Sequence, residues 1–297
     1  MTGAERGFLL LTSQLGDPER KPLTVAQFRE LSLRTGSRIC AEPDREMDVQ
    51  DFVSLGYDRK TAQYLWRLLQ DTQLLEHYLL RAKKAGCVPI TRATATYPAA
   101  VRKRLGLDSP GTLWAKGDDS LLNRPGIALV GSRDLQRENA AFAREVGRQA
   151  ALQGYVLVSG NARGADQIAQ NACLEAGGKV ISVVADRLAD HACRENMLYL
   201  SEYGFDEVFS ALRALRRNRV IQSMGAVTLV VQSGCRMGGT WDGTEKNLRY
   251  GWSPVFCYAD GSPAQRMLMD LGAGEVDLAD LQDLSSLIRQ RRSLFDQ

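Results

Sequence analysis

From Gly126 onward, largely apolar runs of strand length recur at Ile127 to Val130, Val156 to Ser159, Val180 to Val184, Val227 to Val231 and Val255 to Tyr258. Amphipathic stretches fill the intervals, and the spacing predicts helices over Glu138 to Gln153 and Ala165 to Ala176. Short apolar runs that alternate with helices are the pattern of βαβ units, because a parallel strand needs a crossover long enough to hold a helix. The expected fold class is therefore α/β, a mostly parallel sheet with helices on both faces. In such a sheet the carboxyl ends of the strands, where each loop turns into a helix, are left open to ligands.

Upstream the periodicity is different. Thr24 opens a cap-like start to Val25-Ala26-Gln27-Phe28, and Lys60 to Lys84 carries leucines and aromatics three and four residues apart, as helices do. Tyr64, Leu65 and Leu68 read as a core stripe of this part. Between Val88 and Asp119, turn formers such as Tyr97-Pro98 and Ser109-Pro110-Gly111 interrupt any long period, and a linker is expected near residues 88 to 95. The predicted organisation is a small helical domain over 1–87, the α/β domain over 88–272 and a short helical tail over 273–297.

Composition removes several function classes. Hydrophobic residues make up 44% of the 297 and charged ones 25%, enough apolar material for a packed core. No stretch approaches the ~20 apolar residues of a membrane span, and the N-terminus lacks a secretory pattern, so a soluble, cytoplasmic protein without a membrane partner is expected. The six cysteines, from Cys40 to Cys257, show no CxxC pairing and only two histidines accompany them, which argues against zinc and against a disulfide framework, and no cofactor is expected. A net charge of +3 is too small to bind nucleic acid nonspecifically, so any such binding needs a local patch. Arg213 to Arg219 and the tail Arg289 to Arg292 are the dense candidates, each of which also fits a solvated helix face.

Three strand ends carry small residues and arginine: Gly131-Ser132-Arg133, Ser159-Gly160-Asn161-Ala162-Arg163-Gly164-Ala165-Asp166 and Ser233-Gly234-Cys235-Arg236-Met237-Gly238-Gly239-Thr240. Glycine lets a backbone approach phosphate closely, helix-start N–H groups favour anions, and arginine adds a fixed cation. One such loop could be merely a tight turn, whereas three on one sheet edge point to a crevice for a phosphate-bearing ligand. There is neither a dinucleotide fingerprint followed by an acidic residue nor a P-loop. Trp241, Tyr250 and Trp252 are candidates either for base stacking or for core packing.

The ordered motifs resemble the DprA/Smf family of DNA processing proteins. Ile90-Thr91-Arg92 to Tyr97-Pro98, Leu113-Trp114 and Lys116-Gly117-Asp118 are similar to that family's lead-in. Gly131-Ser132-Arg133, Ser159 to Asp166 and Arg217-Asn218-Arg219-Val220-Ile221 follow in the family's order, over roughly residues 88 to 260. The resemblance implies a Rossmann-like core after a helical SAM-like domain, no catalysed reaction, homodimerisation and binding of single-stranded DNA that passes to a RecA-type recombinase. Carried over, it makes Arg133 a phosphate contact, has Ser159 and Gly160 offer a hydroxyl and an N–H, and has Arg217 and Arg219 extend a positive surface. Asn218 would read a base edge or cap a helix. Departures, among them Ala169-Gln170 and the loop Gly238 to Lys246, mark a divergent paralogue.

Two other functions stay open on the sequence. One is a regulatory or antitoxin component of a phage-defence operon that senses DNA or a nucleotide and binds an operon-encoded toxin. The other is a nucleoside monophosphate N-glycosidase with Glu245 or Asp242 as acid/base, although a carboxylate there more readily reads as a helix cap.

Overall fold

The computed structural model describes residues 1–36 and 46–290. Arg291 and Arg292 of the basic tail, and Cys40, lie outside the described residues. Five helices come first: α1 (Gly3–Thr12), α2 (Val25–Gly36), α3 (Val49–Ser54), α4 (Arg59–Gln70) and α5 (Thr72–Lys84). Thr2 with Glu5 and Asp48 with Asp51 close capping boxes on α1 and α3, and Asp58 caps α4. Leu65 and Leu68 of α4 meet Phe28, Leu31 and Phe52 in a small helical core, with Tyr64 at its edge. Leu9 and Leu10 of α1, and Leu75 and Tyr78 of α5, instead join the large core on one face of the sheet.

Nine described strands form one sheet in the order β1-β2-β6-β5-β4-β3-β7-β8-β9. These are β1 (Val88–Thr91), β2 (Thr112–Gly117), β3 (Gly126–Val130), β4 (Val156–Ser159), β5 (Lys179–Val183), β6 (Met197–Ser201), β7 (Gly225–Val230), β8 (Val255–Tyr258) and β9 (Gly274–Val276). The pairs β1/β2 and β2/β6 are antiparallel and every other pair is parallel, which gives the expected Rossmann-like, mostly parallel sheet. The remaining helices are α6 (Ala99–Leu105), α7 (Arg137–Leu152), α8 (Ala165–Glu175), α9 (Ala211–Met224), α10 (Gly238–Tyr250), α11 (Pro263–Asp270) and α12 (Leu284–Gln290).

Side-chain alternation separates the two faces. Ile127 and Leu129 of β3 point into the core formed with α1, α5, α7 and α8, and Ala128 and Val130 point into the core formed with α6, α9, α10 and α11. Since both faces are covered, the central parallel strands β3, β4, β5, β7 and β8 read as largely apolar runs.

Residues 88–91, expected within a linker, are instead an edge strand. Pro89 lies in it opposite Trp114, a place where a missing N–H costs little. Trp114 is fully buried between Tyr78 and Phe205, with ring centroids 5.2 and 5.6 Å away, so the strand β2 that carries it is central to the fold despite its turn-rich flanks. No helix among the described residues is long and apolar enough to cross a membrane.

Candidate functional site

The direction of winding reverses between β3 and β7. From β3 the chain steps through β4 and β5 to one side, then returns through α9 to β7 and steps to β8 and β9 on the other. A crevice opens where the two series part, and a cleft of about 520 Å³ occupies it, within the ~300–1,000 Å³ usual for ligand sites. Gly131, Ser132, Arg133 and Asp134 line it after β3, Ala162 and Asp166 after β4, and Gly238, Gly239 and Thr240 after β7, with one face of α9 closing the side. Three loops that the sequence marks separately therefore meet in one cavity.

Within it the expected residues divide by accessibility. Arg133 is exposed and forms no salt bridge among the described residues, so its charge is available to a ligand. Ser132 is tied back: both its N–H and its hydroxyl donate to the Gln232 carbonyl, at 3.0 and 3.1 Å, which staples the β3 loop to the β7 loop. Gly239 and Thr240 open α10, whose positive dipole end faces the cleft. Asn218 donates from Nδ2 to the Gly239 carbonyl at 2.9 Å, so it holds that first turn in place. Arg163 stays outside the cleft lining and reaches the exposed Asp134 at 3.3 Å.

Ser159 and Gly160 do not reach the cleft surface. Ser159 is 0% exposed, and its hydroxyl accepts from Gln170 Nε2 at 2.7 Å. The Gly160 carbonyl accepts from Ser182 Oγ at 3.0 Å and also from Gln170 Nε2. What Gly160 contributes is space: a Cβ there would sit 2.0 Å from Nη1 of Arg217. Gly164, at φ +86°, has its own reason, since a Cβ would meet the Arg133 carbonyl oxygen at 2.3 Å.

The two arginines of the Arg217-Asn218-Arg219 motif face opposite ways. Val220, Ile221 and Met224 bury one stripe of α9 against the sheet, and Arg217 falls on that stripe, only 7% exposed, at the cleft floor. Its Nη2 lies 3.8 Å from Asp166, while its Nε and Nη1 have no hydrogen-bond partner among the described residues. Burial raises the Asp166 carboxyl, and the Arg217 guanidinium opposes that rise. Arg219 turns away, where it pairs with buried Glu202 and donates to the Asp108 carbonyl at 2.6 Å. It therefore lies apart from this cleft rather than extending its positive surface.

Asp166, buried under the cleft, is a lining residue missed as a site residue although the motif Ser159 to Asp166 contains it. Asp242 pairs with Lys246 at 2.8 Å, and with Glu245 it lines a separate groove between α10 and α11. Trp241 is buried in the core, whereas Tyr250 and Trp252 lie at the far end of α10. No group of three metal-ligating side chains occurs among the described residues.

Residues 89–260 match the model of the family described as DNA recombination-mediator protein A. The DNA processing protein DprA of Streptococcus pneumoniae is 33% identical over 146 residues, 44% of this chain and 50% of that protein. The Bacillus subtilis DprA is 31% identical over 137 residues, 42% of this chain and 46% of that protein. The chain thus spans about half the length of the curated relatives it matches. The X-ray structure of the Streptococcus pneumoniae DprA superposes with a TM-score of 0.69 at 24% identity, over 93% of this chain and 95% of that one. A Helicobacter pylori DprA structure concerned with a single-stranded DNA binding mode gives a TM-score of 0.55 at 22% identity, over 70% of this chain and 96% of that one.

Proposed function

The chain belongs to the DNA recombination-mediator protein A family, and from that premise we propose that it binds single-stranded DNA through the cleft beyond β3 and β7, by contact and without a chemical step. The observation that carries this reading is the convergence of three strand-end loops on a free Arg133 and a buried Arg217 at the switch point. The Arg217 guanidinium, with its Nε and Nη1 closed off beneath the surface, places a positive charge under the cleft floor that favours a phosphate above it. Arg133 and the first turn of α10 would hold further backbone oxygens. None of these groups reads a base, so binding would tolerate many sequences.

The cleft also suits an unpaired strand better than a duplex. Leu215 and Met237 line it yet are 39% and 74% exposed, and Leu212 stands one turn before Leu215 on α9. Flat unpaired bases can cover such a rim, but bases stacked inside a duplex cannot.

The reading extends to a helical domain over 1–87 and a cytoplasmic setting and, on the resemblance, to a homodimer as the working state and a RecA-type recombinase as recipient. The comparisons lend no support to the antitoxin or glycosidase alternatives, and Asp242 and Glu245 stand outside the cleft.

The test is fluorescence anisotropy with a labelled single strand, competed by duplex and by nucleoside monophosphates. Salt-sensitive binding that duplex and monophosphates compete poorly is the expected result. A protein that ignores the strand but binds a monophosphate would overturn it.

A further inference from the structure

A second cleft of about 520 Å³ lies across α9 from the first. At 100° per residue, Arg216 and Arg219 face it while Leu215, Arg217 and Asn218 face the loops. Arg104 and Leu105 of α6, Asp108, whose carboxylate is paired with Arg29, Thr24 and the first turn of α2, and Tyr250 and Trp252 complete its walls.

Its charge is not balanced. Arg219 is neutralised by Glu202, but neither Arg104 nor Arg216 forms a salt bridge among the described residues. Arg104 is fixed by donating to the carbonyls of Ser223, at 2.8 Å, and Gly225. Arg216 is exposed, with its charge close to Tyr203 and Glu202. The dipole of α2 adds a positive wall.

Beside these cations stands an aromatic platform. Tyr250 is 61% exposed, and its ring stacks on Trp252 with centroids 5.9 Å apart and planes 18° from parallel. Arg249 lies over the same Tyr250 ring, 5.6 Å from its centroid. A large exposed ring that is braced by a neighbour and flanked by arginines offers what single-strand binding uses: a π-face for a base and cations for the adjoining phosphates.

We propose that this cleft is a second contact for a single strand, with an unpaired base stacked on Tyr250 and a backbone phosphate between Arg216 and Arg104. The inference rests on the single-strand reading of the first cleft. The 13 residues of α10 join the two sites, with Gly238 to Thr240 at one end and Tyr250 at the other, a span of roughly 20 Å at ~1.5 Å per residue. A long strand held at loops and platform together would gain affinity that a short one cannot.

The experiment compares oligothymidylates of ~4 and ~16 nucleotides on the unsubstituted protein and on Tyr250→Ala, Tyr250→Phe and Arg216→Glu. Bromodeoxyuridine cross-linking on the long strand locates the bases. Tyr250→Ala and Arg216→Glu are expected to weaken the long strand roughly tenfold or more and to leave the short one unchanged. Tyr250→Phe keeps its ring and should bind like the parent, and on the unsubstituted protein the long strand should cross-link at Tyr250 or Trp252. Unchanged long-strand affinity in both variants, with cross-links confined to the first cleft, would overturn the second contact alone. An unsubstituted protein that binds neither strand would overturn both readings.

Discussion

Replacing Arg133 with alanine separates binding from folding more cleanly than any other change at the cleft. Arg133 is exposed and reaches the interior through Coulomb coupling of opposite sign to Asp166 and to Arg217. Its removal should therefore shift stability by no more than ~0.5 kcal/mol, the usual range for a surface site. A charge-assisted hydrogen bond to phosphate contributes roughly 1.5–3 kcal/mol. At 1.4 kcal/mol per tenfold, affinity for a single strand should fall about 10- to 150-fold. The salt dependence gives an independent reading, since each phosphate contact on a single strand contributes about −0.7 to the slope of log K against log salt. Loss of one contact should make that slope shallower by ~0.7. Anisotropy titrations over a series of salt concentrations measure both quantities, and a thermal melt measures stability. If the melting temperature falls together with affinity, or affinity falls while the slope stays put, Arg133 is not a phosphate ligand and the cleft loses its accessible cation.

Two further changes test the floor of the cleft. Gly160→Ala places a Cβ 2.0 Å from Nη1 of Arg217 and should expel the guanidinium, costing ~1–3 kcal/mol by overpacking together with much of the affinity. A variant that melts and binds like the parent would refute the close approach. Arg217→Met removes the cation that opposes the burial-driven rise of Asp166. A raised carboxyl keeps its proton longer in the folded state, so stability falls as pH climbs above the ordinary aspartate value of ~3.9. The variant should lose ~3–5 kcal/mol at neutral pH and less in acid, where Asp166 is protonated. Urea unfolding at both pH values checks this, and a loss independent of pH would count against the pairing.

The strands that the sequence reveals are those whose two faces are both apolar and whose crossovers are regular, β3, β4, β5, β7 and β8, each found within one or two residues. The missed strands lack one of those signals. β1 holds Pro89, β2 sits among turn formers, β6 follows a connection without an α-helix, and β9 has three residues. Their places come from partners distant in sequence, as when Trp114 packs between Tyr78 and Phe205. The candidate loops were visible because small residues and arginines at strand ends are a local pattern.

By itself the sequence determined the α/β class and the three loops, because hydrophobic periodicity and turn chemistry are properties of short stretches, and its ordered motifs carried the resemblance to the family. Tertiary structure alone decided what each loop residue does. Arg217 and Arg219 are two positions apart on one helix, and the ~200° between them sends one beneath the cleft and the other to its far side. Ser159 and Gly160 looked like ligands because they end a strand, yet the buried amide of Gln170 and the Arg217 guanidinium occupy the space around them. Tyr250 lies beside the arginines of a second cleft only because α10 runs the length of α9, a juxtaposition that no local pattern encodes.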